Sequence, residues 1–134
     1  MEQPLIPIAH HEDMTKSLGE IIINEDVLAL YATMALSSVD GVVSLSGRRG
    51  VPELQPGKIK EVIDKGLELK TDPTTMKVTV NVKINIEYKR HVGETAMRLQ
   101  KAIRDEIEGL CGHEVDRVNV TVVGIVPAAE RNSL

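Results

Sequence analysis

The sequence predicts an α+β fold: a two-layer sandwich in which a mixed, mostly antiparallel sheet of four to five strands carries two helices on one face and includes a C-terminal βαβ unit. Three patterns lead there. From Met76 to Tyr88 the chain alternates, with Met76, Val78, Val80, Val82, Ile84, Ile86 and Tyr88 on one side and Lys77, Thr79, Asn81, Lys83, Asn85 and Glu87 on the other. A period of two means a strand with one face on the core. After Tyr88 the period becomes helical, with Val92, Ala96, Leu99, Ile103, Ile107 and Leu110 recurring three or four apart. Val118, Val120 and Val122 then alternate in a last strand reaching about Val126. Strand, helix and strand in that order make a βαβ unit, whose two strands run parallel.

The elements upstream follow from local signals. Residues 1–17, with Pro4, Pro7, His10 and His11 and no periodicity, read as a disordered tail and residues 127–134 as a short frayed tail, leaving one domain over 18–126. Gly19 to Ile23 reads as a short strand. Asn24 then caps a helix running from about Glu25 to Ser38, with Glu25 and Asp26 in its positive first turn and Gly41 as the stop just beyond. Val27, Leu28, Tyr31, Met34 and Ala35 form its apolar stripe. Val42 to Ser46 is a second strand. Gly47 to Asp64 reads as a mobile loop with a helical turn near Ile59 to Ile63. Lys65 to Thr71 alternates again through Leu67 and Leu69, and Asp72, Pro73 and Thr74 turn it into the long strand as an antiparallel hairpin. On the second helix, Glu94 with Arg98, Lys101 with Asp105 and Arg104 with Glu108 stand four apart. Such exposed pairs add only about 0.3 to 0.5 kcal/mol each, so burial of the apolar stripe decides where the helix sits.

Composition narrows the function. The 134 residues suffice for one core, which must be aliphatic because the chain has no Phe or Trp and only Tyr31 and Tyr88. Few aromatic residues argue against a base-stacking nucleic-acid module, and a formal net charge of -4 argues against general affinity for phosphate backbones. Cys111 is the lone cysteine, which suits a reducing compartment, the cytosol. No run reaches the roughly 18 apolar residues that cross a bilayer, so no direct membrane insertion is expected.

No constellation of residues specifies a reaction. Gly47, Arg48, Arg49 and Gly50 match the G-x-x-G of a nucleic-acid-binding loop, but the match is four letters long, follows a strand rather than joining two helices, and reads better as a solvated loop. Cys111 and His113 could contribute to a metal site only with His91, which a helix of roughly 28 Å holds away, so a buried or capping Cys beside a surface His is the better reading. The many carboxylates lie at helix starts or on polar faces, where nothing raises their pKa toward a catalytic value. No enzyme activity, metal or cofactor is expected.

The order of signals over roughly Leu18 to Val126 resembles the alkaline shock protein family of bacterial general and envelope stress proteins. It is carried by Gly19, Glu20, Ile21, Ile23, Val27, Leu28, Ala32, Ala35, Val39, Gly41 and Val42, then by Lys65, Gly66, Leu67 and Leu69. The closing half adds Tyr88, Val92, Ala96, Gln100, Ile103, Ile107, Gly112, Val115, Val118, Asn119, Val120, Val122 and Gly124. Gly93 departs from the proline that relatives often carry there, and Gly47 to Gly57 does not align. The resemblance implies a non-catalytic cytoplasmic protein supporting cell-envelope homeostasis, able to form homo-oligomers and brought to the inner face of the membrane by an anchored protein partner. Arg48, Arg49, Lys58, Lys60, Lys77 and Lys83 are the candidate partner-binding residues. The alternative is a nucleic-acid-binding regulator using the basic, glycine-rich loop 47–60.

Overall fold

A computed structural model describes residues 18–128; the two predicted tails therefore lie outside the described residues, apart from Pro127 and Ala128. The elements run α1 (Glu25–Ser37), β1 (Val42–Ser44), α2 (Ile59–Val62), β2 (Leu67–Thr71), β3 (Val78–Glu87), α3 (Val92–Glu106), a π-helical turn (Ile107–Cys111) and β4 (Val115–Val126). Local chemistry sets the boundaries. Asn24 accepts the Asp26 N–H on its side chain at 2.8 Å, and Gly41 turns the chain after α1 at φ +89°. Asp72 accepts the N–H groups of Thr74 and Thr75 at 2.7 and 3.2 Å, closing the turn of the β2–β3 hairpin.

The long alternating strand is the centre of the sheet. β3 pairs antiparallel with β1 from Val42↔Ile86 to Ser44↔Ile84, and antiparallel with β2 from Leu67↔Val82 to Thr71↔Val78. β1 and β2 thus lie end to end along one edge, and at their junction the Lys83 N–H donates to the Gly66 carbonyl at 2.9 Å. β4 runs parallel along the other edge from Val78↔Val115 to Glu87↔Val126, completing the predicted βαβ unit. The sheet is mixed, and two of its three pairings are antiparallel.

Both long helices pack on one face. Val78, Val80, Val82, Ile84 and Ile86 meet Leu28, Ala32, Ala35 and Leu36 of α1 and Leu99 and Ile103 of α3 in one aliphatic core, to which Ile107, Cys111, Val115 and Val118 also belong. At roughly 1.5 to 3 kcal/mol for each large side chain, this burial outweighs the exposed ion pairs of α3. Two of those pairs form, Arg98 with Glu94 at 2.7 Å and Lys101 with Asp105 at 3.1 Å.

Several expectations need correction. Gly19 to Ile23 is not a strand: it pairs with no strand of the sheet, Ile21 and Ile22 are exposed and only Ile23 packs on the core. Leu110 does not continue the apolar stripe of α3 and is 63% exposed, while Cys111 is 6% exposed. The cause is the π turn, whose wider i→i+5 closure returns Cys111 to the core in place of Leu110. The same change of phase separates Arg104 from Glu108, and Glu108 instead accepts the Val115 N–H at 2.9 Å. His113 is buried rather than on the surface. Tyr88, predicted on the inward side, is exposed because the chain leaves the strand there and turns at Lys89, whose φ is +78°.

Candidate interaction surface

With α1 and α3 on one face, the other face of the sheet has no helix over it among the described residues. Thr79, Asn81, Lys83 and Asn85 of β3 stand on it, beside Lys70 and Glu68 on one edge and Arg117, Asn119 and Thr121 on the other. Asn119 donates to Asn81 across the β3–β4 pair at 2.8 Å. Val123 is the extra residue of a bulge between Ile84↔Val122 and Asn85↔Gly124. Gly124 lets Asn85 lie close, since a Cβ there would come within 2.6 Å of the Asn85 Oδ1.

β4 pairs with no strand but β3 among the described residues. From Val118 to Val126 it carries no charged side chain, and Val123 and Ile125 are each about half exposed. Among the described residues it has one guard, at Val118, where Gln100 of α3 donates to the carbonyl at 3.0 Å.

The six candidate residues do not form one patch. Arg48 turns inward, its Nη1 donating to the Val62 carbonyl at 3.0 Å and its N–H to Ser44 Oγ. Arg49 reaches over the end of β3, with Nε on Glu87 Oε2 at 3.0 Å and Nη2 on the Pro127 carbonyl at 2.6 Å. Lys60 approaches Asp26 at the start of α1 at 3.9 Å, and Lys58 is exposed. Lys77 sits 3.5 Å from Glu114, and Lys83 stands on the open face without an ion-pair partner among the described residues. Arg48 and Arg49 thus each make contacts within the chain, and the six residues stand on separate parts of the surface.

Sequence reasoning placed Glu87 on the polar face and missed its role. It is buried, and its carboxylate holds both Arg49 and Arg90, the latter through Nε at 3.4 Å. These residues border a cleft of about 430 Å³ between the α1–β1 turn and the end of β3. The signal was Gly41, whose missing side chain makes room for Arg90: a Cβ would fall 2.9 Å from the Arg90 Cγ.

Elsewhere the chemistry is sparse. Burial pushes the Cys111 thiol pKa up, and the nearby Glu106 carboxylate adds to the rise. Among the described residues no three His, Cys, Asp or Glu side chains gather to hold a metal ion, and no helix is long and apolar enough to cross a membrane.

Comparison with known proteins supplies the biological setting. A family model matches residues 13–127, that of the alkaline shock protein 23 family, described as having a cell envelope-related function. The chain belongs to this alkaline shock protein family. Two similar proteins are the uncharacterized protein Spy1535 of Streptococcus pyogenes serotype M6 and the uncharacterized protein YqhY of Bacillus subtilis strain 168. The first is 28% identical over 112 residues, covering 84% of this chain and 83% of that protein. The second is 28% identical over 117 residues, covering 86% and 82%. No solved structure matches. In this alkaline shock protein family member, several residues that carried the resemblance have physical duties: Gly41 admits Arg90, Gly124 admits Asn85, and Gln100 guards β4.

Proposed function

We propose that this alkaline shock protein family member is a non-catalytic interaction protein of the cell envelope, acting through protein partners and through self-association at the inner face of the membrane, where an anchored partner holds it. The observation that carries this reading is the edge of β4. An edge strand presents unpaired N–H and C=O groups, and natural sheets blunt such edges with charge, proline, bulges or a covering element. Here nine residues from Val118 to Val126 have no charge, one bulge at Val123 and one guard at Gln100. Strand addition from another chain satisfies that edge through main-chain hydrogen bonds, and the exposed Val123 and Ile125 give it apolar area to bury.

Light scattering on the purified protein over a wide concentration range tests self-association, and capture from native cells tests partnering. Mass rises with concentration, and an envelope or membrane-anchored protein is recovered. Replacing Val123 and Ile125 with Lys weakens both, without unfolding, because both side chains are already exposed. A chain that stays monomeric at high concentration and captures no envelope protein overturns the reading.

A further inference from the structure

We propose that the cleft between the α1–β1 turn and the end of β3 binds a small organic anion, whose phosphate or carboxylate group is taken up by Arg90, Arg49 and the Ser37 hydroxyl. The cleft holds about 430 Å³, within the range of roughly 300 to 1,000 Å³ typical of small-molecule sites. Three independent features of its lining point to an anion. Ser37, at the end of α1, is buried at 8% exposure and its Oγ has no hydrogen-bond partner. Buried hydroxyls are nearly always satisfied, and this one, closed to solvent beside the cleft, gains an acceptor when its χ1 turns toward a bound anion. The second feature is the arginine pair. Glu87 engages the Nε of both guanidiniums, which fixes their planes while leaving both terminal nitrogens of Arg90 and the Nη1 of Arg49 without partners among the described residues. Those free donors form the fork that matches phosphate or carboxylate oxygens. The third is charge: Arg49, Lys89 and Arg90 face Asp40 and Glu87, an excess of one positive charge.

The backbone holds this arrangement in place. Arg90 lies across Gly41, where no other residue leaves room for it, and Lys89 adopts φ +78°, an unfavourable conformation for a lysine. The Arg90 N–H closes the turn on the Glu87 carbonyl at 3.2 Å. Val39, Val42 and Tyr88 provide an apolar wall for the organic part of the ligand.

The test is an amide NMR titration of the full chain with inorganic phosphate, phenyl phosphate and benzoate. Saturable shifts are expected within Ser37–Val42 and Glu87–Arg90, with phenyl phosphate or benzoate binding more tightly than inorganic phosphate because of the apolar wall. The stronger of these two organic anions assigns the headgroup. Arg90→Gln weakens binding about tenfold, the size of a lost charge-assisted pair. Ser37→Ala weakens binding several-fold, yet leaves the Tm of the unliganded protein unchanged or higher, because it removes an unsatisfied hydroxyl. Arg98→Gln, on the exposed face of α3, leaves binding unchanged. Shifts spread equally over Arg98 and Arg117, no saturation below about 10 mM, or wild-type affinity in folded Arg90→Gln and Ser37→Ala overturn the proposal.

Discussion

The main-chain N–H of Asp64 donates to the Oγ1 of Thr33 at 3.1 Å, while that hydroxyl itself donates to the Ala29 carbonyl at 2.9 Å. Both residues are buried, and the Asp64 carboxylate accepts the N–H groups of Ser46 and Gly66 at 3.3 and 2.9 Å. One hydroxyl and one carboxylate thereby join the middle of α1 to the chain leaving β1 and the chain entering β2. Thr33→Val keeps the shape and removes the acceptor, leaving the Asp64 N–H buried without a partner. Its expected cost is about 1 to 3 kcal/mol, read as a lower urea midpoint with unchanged slope.

Gly66→Ala is expected to be among the most damaging single substitutions. The new Cβ would lie 2.6 Å from the Lys83 carbonyl oxygen and 3.0 Å from Leu45, so backbone at the β1–β2 junction must move. A loss of about 2 kcal/mol or more is expected by thermal or urea unfolding. Gly93→Ala is the contrast: its Cβ meets nothing within 4 Å and the site is helical, so a gain of about 0.5 to 1 kcal/mol is expected.

The π turn can be tested by a pair of neighbours. Leu110→Ser changes an exposed side chain and is expected to fall within about 0.5 kcal/mol of wild type, whereas Cys111→Ser puts a hydroxyl in the core and costs about 1 to 3 kcal/mol. A continuous α-helix through residue 110 would reverse that order in the same unfolding measurement.

Cys111 also predicts an alkaline limb to stability. Its folded pKa lies above the ordinary 9.0 because burial, and then Glu106, penalise the thiolate. Above the unfolded pKa the unfolded chain therefore holds fewer protons than the folded one, and stability falls as pH rises from about 9 toward the folded value. Urea unfolding at pH 8 and pH 10 is expected to show a larger loss in the wild type than in Cys111→Ala, the difference isolating the contribution of this thiol.

Most of the framework was legible because burial on one face leaves a period. β3, α3 and β4 were visible in the spacing of Val78 to Ile86, Leu99 to Ile107 and Val118 to Val122, and the β2–β3 turn in Asp72 and Pro73. Periodicity failed where its premise failed. Leu110 fits an α-helical stripe, but no spacing rule reveals a π turn. Ile21 and Ile22 have strand chemistry, but a strand also needs backbone pairing, and residues 19–23 pair with no strand. Arg48 and Arg49 read as a loose basic loop because their partners, Val62, Glu87 and Pro127, are 14, 38 and 78 residues away. The cleft was invisible for the same reason: it joins the end of α1 to the end of β3, two segments about 50 residues apart.

Placing β1 and β2 end to end on one edge of β3, with β4 on the other, also orders the steps by which the chain reaches this structure. Every strand pairing includes β3, so no part of the sheet can exist before it. Its contact with β2 closes only a short turn, the contact with β4 must wait for α3 to form, and the contact with β1 closes a loop of about 40 residues. The hairpin is thus the natural nucleus and β1 the late arrival. Slow-exchanging amides concentrate on β3, and mutations in β1 speed unfolding more than they slow folding.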